Sequence, residues 1–161
     1  MSEECNLKKL KENYSFLQGK YNLPLFEKLN EDFNVEKLAD SETDFLLREV
    51  RSCIVEKFLN YLRFTESLIN PSSSPMFVFA VIKTLGEKEK EKLMELYKKI
   101  AKIEVELIEL DLEYSEKKEA DSINKYYEIW QAIKKDFAEI IKTIKQNWDA
   151  KTEGDKGNYL G

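Results

Sequence analysis

The chain has 161 residues, with 26 Lys plus Arg against 31 Asp plus Glu, no His and two Cys, for a formal net charge of -5. That length suits one domain with a core of its own, without disulfides or metal, and five Gly and three Pro are too few for the turns of a many-stranded β-fold. Lacking His, the chain cannot build a Ser-His-Asp or Cys-His catalytic pair or a His-ligated zinc, and its acidic balance speaks against a general nucleic-acid binder.

The first predicted element is a helix over 2–18. Leu7, Leu10, Tyr14 and Leu17 recur at helical steps, and Gly19 is the expected stop. Pro24 fits the first turn of a short second helix carrying Leu25, Phe26, Leu29 and Phe33. A connector follows over 34–40, with room for one helical turn. Ser41, with Asp44 three residues on, resembles a capping box. It opens a long helix striped by Leu47, Val50, Ile54, Phe58, Tyr61, Thr65 and Leu68.

Asn70-Pro71-Ser-Ser-Ser-Pro75 breaks the chain, with Ser74 placed to cap the next element and Pro75 to start it. The run 76–82 is apolar on every side, so periodicity alone leaves a buried helix and a buried strand both open. Its cap and Gly86 favour the helix.

Between Glu87 and Trp148 there is neither Gly nor Pro. One stripe runs Leu93, Leu96, Ile100, Ile103, Leu107, Leu110, Tyr114, and a second runs Ile123, Tyr126, Trp130, Ile133, Phe137, Ile140, Ile144. The gap from Tyr114 to Ile123 turns the face by about 900°, two and a half turns at about 100° per residue. Either the chain folds back near 115–121 into a helical hairpin, or one helix changes partners there. Residues 150–161 lack periodicity and read as a flexible tail. The expected fold is therefore all-α: an elongated, coiled-coil-like helical bundle of about five segments in one domain over 1–149, ending in a long helix or hairpin.

Cys5 and Cys53 have no metal-ligand spacing, and Cys53 falls in an apolar-periodic run where a thiol acts as a small hydrophobe. The acidic N-terminus and the absence of any long apolar run predict a cytoplasmic protein with no membrane span.

The sharpest compositional signal is the arginines. Only Arg48, Arg51 and Arg63 occur among the 26 cationic residues, and all three lie on one predicted helix within an arc of about 120°. Guanidinium is favoured where a planar fork must grip a carboxylate or phosphate. On the later helix, Glu104 and Asp111 fall inside an apolar arc of about 220°, where a carboxylate needs a partner. These acids are expected to meet the arginines as ion pairs that fix register. A stripe edge in solvent is the plainer alternative. Glu104 and Asp111 could also hold Mg²⁺ for an all-helical nucleotide phosphohydrolase, with Arg48 or Arg51 on phosphate.

No phosphate loop, dinucleotide turn or calcium loop is present, and no cofactor is expected. The leading expectation is a non-enzymatic interaction, adaptor or assembly protein whose partner is another protein or a second copy. Tyr126, Trp130 and Phe137 are the expected interface of a homo-oligomer. An anion or ribonucleoprotein-surface binder using the Arg face is the third possibility.

Overall fold

The computed structural model describes the backbone of residues 3–41 and 43–155 and the side chains of residues 4–41 and 43–148. Among the described residues all regular structure is helical, as composition and periodicity predict. The helices are α1 (Glu3–Tyr21), α2 (Phe26–Phe33), α3 (Leu46–Ile69), α4 (Met76–Ile82), α5 (Glu87–Asp111) and α6 (Glu116–Asp155). Short 3-10 helices span Val35–Asp40 and Pro71–Ser73. None of the described helices is long and apolar enough to cross a membrane. The chain divides into two compact units, the first formed by 1–59 and 103–130, the second by 60–102 and 131–161. The divisions fall within α3, α5 and α6.

In the first unit, α1 passes through Gly19 and ends at Tyr21. The stop comes from Asn22, held at φ 51°, a left-handed conformation that Asn tolerates better than most residues. Asn34, at φ 53°, ends α2 in the same way, its N–H donating to Asn30 O at 2.9 Å. A methyl group at Gly19 would meet nothing within 4 Å. Gly19→Ala should therefore stabilise the helix by about 0.5–1 kcal/mol, read as an upward shift in thermal midpoint.

Tyr14 is buried against Phe26 in an edge-on ring contact at 5.6 Å, and its hydroxyl donates to Pro24 O at 2.7 Å. That bond fixes the reversal between α1 and α2, while burial pushes the Tyr14 hydroxyl above the usual phenol range. The connector is the 3-10 helix Val35–Asp40, tied to α1 by Asn6 Nδ2 donating to Asp40 Oδ1 at 2.9 Å. Ser41 does not open α3. Its N–H closes the 3-10 helix on Leu38 O at 3.0 Å, and the local side-chain bond before α3 is Phe45 N–H to Thr43 Oγ1 at 3.0 Å. Leu47, Val50, Cys53, Ile54 and Phe58 then bury the face of α3 that the periodicity marks. Cys53 is core, and burial raises its thiol pKa.

In the second unit, Leu68, Leu93, Leu96, Ile100, Ile133, Phe137 and Ile140 are buried. Lys92 Nζ lies between Asp136 Oδ1 at 3.2 Å and Glu139 Oε2 at 2.6 Å. Asn147 Nδ2 donates to Thr84 O at 2.7 Å. The run 76–82 is a helix, but not a buried one. Only Val78 is buried, while Met76, Phe77 and Phe79 are exposed. Ser74 is not its cap: the N-cap position is Pro75, and Ser74 Oγ donates to Ser67 O at 3.4 Å. At the start of α5, the Gly86 N–H donates to Glu89 Oε2 at 3.1 Å, the backward half of a capping box.

The segment 87–148 folds back as a hairpin. Helix α5 ends at Asp111 and α6 begins at Glu116, slightly ahead of the expected 115–121. Neither Gly nor Pro is needed, because the turn satisfies its own backbone. The Leu112 N–H reaches Glu109 O at 3.2 Å, and Ser115 Oγ accepts from the Lys118 N–H at 3.4 Å. Glu116 and Glu119 in the first turn suit the positive end of the helix dipole. Helix α6 continues to Asp155, into the segment expected as a tail from 150. Residues 156–161, including Tyr159 and Leu160, lie outside the described residues.

Candidate functional site

All members of the arginine network belong to the first unit. On α3, Arg48 and Arg51 are one turn apart, and the hairpin of α5 and α6 brings carboxylates to them. Arg51 is 2% exposed and Glu119 1% exposed. Arg51 Nε donates to Glu119 Oε2, and Arg51 Nη2 donates to Asp111 Oδ1. Arg48 Nε donates to the other oxygen, Glu119 Oε1, at 3.4 Å. Its guanidinium also lies over the Tyr114 ring at 5.0 Å, and Tyr114 meets Phe45 edge-on at 4.6 Å.

Two guanidiniums and two carboxylates make a neutral set. Burial alone would weaken the charge on Arg51. The hydrogen bonds to Glu119 and Asp111 outweigh it and raise the Arg51 pKa further. Its fork is thus engaged by protein carboxylates at both contacts, which is what a register-fixing ion pair requires.

The residues that the sequence marks divide accordingly. Asp111 joins Arg51 as expected. Glu104 is half-buried, and the place expected for it beside the arginines is taken by Glu119. Arg63 is exposed and belongs to the second unit, whereas Arg48 and Arg51 belong to the first. Glu119 has a legible signal: one turn before Ile123, it continues the buried stripe of α6 backwards. Its place among polar neighbours hides it. Among the described residues, no three acidic or thiol side chains converge as a metal-holding group.

Tyr126, Trp130 and Phe137 are not a surface awaiting a second copy. Each is core within its own unit. Trp130 lies against Phe58 at 5.7 Å and Phe33 at 6.0 Å, with Lys57 Nζ 5.5 Å from its ring centre. The Tyr126 hydroxyl donates to Glu106 Oε2 at 2.8 Å, and Lys125 Nζ donates to the same oxygen at 2.6 Å. Burial, and then the bond to that carboxylate, push the Tyr126 hydroxyl above the usual phenol range. Phe137 packs on Tyr61 at 4.7 Å and Phe64 at 6.4 Å. A stripe of large aromatics on an amphipathic helix is first claimed by the chain's own neighbours.

Three large aliphatic side chains of the first unit stay uncovered on the last turns of α5 and just beyond. Val105 is 68% exposed, Ile108 56% and Leu112 82%. Val105 and Ile108 lie one turn apart on α5, and Leu112 follows directly past its last residue, Asp111. This is the part of the wide apolar arc that the chain's own neighbours leave open. Comparison with protein-family models, curated proteins and solved structures found no match for the chain.

Proposed function

We propose that this chain is a non-catalytic helical interaction protein, an adaptor or assembly subunit, acting through the exposed face of Val105, Ile108 and Leu112. The observation that carries the reading is that these three aliphatic side chains stand in water while Ile100, Ile103 and Leu107 of the same helix are buried. Isolated exposed apolar residues are commonplace, but a row at helical spacing is how one helix presents itself to another. The partner is a second copy or another protein. This aliphatic row, not the buried aromatics of α6, is the interface.

The test is the native mass by light scattering across a concentration series, for the wild type and for Val105→Ser/Ile108→Ser/Leu112→Ser. Exposed substitutions of this kind should keep stability within about 0.5 kcal/mol per site, so a changed mass reports association. Assembly lost in the triple variant supports a second copy on this face. The reading fails if the triple variant alters neither self-association nor the binding of an amphipathic helical peptide.

A further inference from the structure

We propose that the occupant of this face is a basic amphipathic helix of another protein, an assignment that rests on the interaction reading above. Between 103 and 113 the chain carries Glu104, Glu106, Glu109, Asp111 and Glu113, and no Lys or Arg. The apolar row therefore runs through a stretch whose own charges are all negative. Beside it lies a groove of about 680 Å³, lined in part by Leu112 and Tyr126 and carrying four carboxylates against two ammonium groups. That balance leaves the groove negative. Of the two bases, Lys125 is held by Glu106, and Lys118 reaches Glu113 at 3.6 Å. The other two acids, Glu109 and Asp121, are exposed and carry no ion pair among the described residues. They are the acids open to a cation from outside.

A helical visitor fits this surface best. No strand edge exists among the described residues for an extended segment to add to, and a helix satisfies its own backbone hydrogen bonds while presenting an apolar face to an apolar row. Apolar residues one turn apart on such a helix would meet Val105 and Ile108, one turn apart on α5, with Leu112 just past the helix end extending the contact. Charge selects the partner. A second copy docked on the same row would set this cation-free stretch against itself, whereas Lys or Arg flanking the visitor's apolar face meets Glu109 and Asp121.

The probes are two fluorescein-labelled synthetic helices of about 18 residues, roughly five turns. They share one row of Leu at helical spacing, with Lys elsewhere in the first and Glu elsewhere in the second. Fluorescence anisotropy should show the Leu/Lys helix binding the full chain about tenfold more tightly than the Leu/Glu helix, with affinity falling as salt rises. The serine triple variant, with circular dichroism matching the wild type, should lose about tenfold in affinity. Glu109→Gln/Asp121→Asn should flatten the salt dependence. Equal binding of both probes overturns the proposal, and so does Leu/Lys binding that the triple variant leaves unchanged. Self-association that covers the row and is lost in the triple variant also overturns it, yet leaves the interaction reading standing. Absence of both peptide binding and self-association removes both.

Discussion

Glu119→Gln should cost the fold about 3–5 kcal/mol, the range for breaking a buried ion pair by removing one partner. The substitution keeps the size of the side chain and removes its charge. One oxygen that accepts from a guanidinium becomes an NH₂ group that can only donate. Arg51 is then left with a buried charge matched by Asp111 alone, whose side chain is largely in solvent. Domains are stable by only about 5–15 kcal/mol in total, so the loss should be plain in urea denaturation, with the midpoint moving and the slope unchanged. Arg51→Met should also be costly, because it leaves the buried Glu119 with only its longer contact to Arg48 at 3.4 Å. Arg51→Met/Glu119→Leu should recover much of the loss, because an apolar pair of similar volume replaces the ions without leaving either one unmatched. Were the arginines held for an external phosphate instead, removing Glu119 would free them and leave the midpoint where it was.

Trp130→Ala should cost about 3–5 kcal/mol, the usual penalty for emptying the volume of a buried Trp. The indole fills the space between Phe33 and Phe58 and carries Lys57 over its ring, so collapse around the gap would have to move α2 and α3 together. Trp130→Glu should be worse, since it adds a carboxylate to an apolar site. Near-ultraviolet circular dichroism and urea denaturation would follow both variants. A Trp130→Glu chain that folds with wild-type stability and only changes its mass would return Trp130 to an interface and contradict its packing against Phe33 and Phe58.

The helices and most of their inward faces are legible in the sequence because each follows from spacing along one segment. The half-turn jump between Tyr114 and Ile123 marks where the stripe changes face. A local phase fits a hairpin and a single helix that changes partners equally well, and only the structure selects the hairpin. What spacing does not carry is the identity of the neighbour. The aromatic row at Tyr126, Trp130 and Phe137 reads the same whether it meets a second copy or this chain's own helices. The run 76–82 reads as core because every residue is apolar, although one side of a seven-residue helix is enough to anchor it. Glu119 is hard to see because a buried acid on a hydrophobic stripe looks like the polar end of a linker until its arginines are in place. The arginines are the better guide. Their scarcity among many lysines marks a demand for guanidinium geometry, and Arg48 and Arg51 meet it while Arg63 stands in solvent.

The burial of Trp130 also has an optical meaning. The chain has two tryptophans; Trp130 is enclosed in the first unit, while Trp148, in the second, is exposed. The intrinsic emission is therefore a sum of a blue component shielded from aqueous quenchers and a redder one open to them. Each compact unit thus contains its own built-in fluorophore, and a single-tryptophan chain of either kind reports on one unit without any added dye.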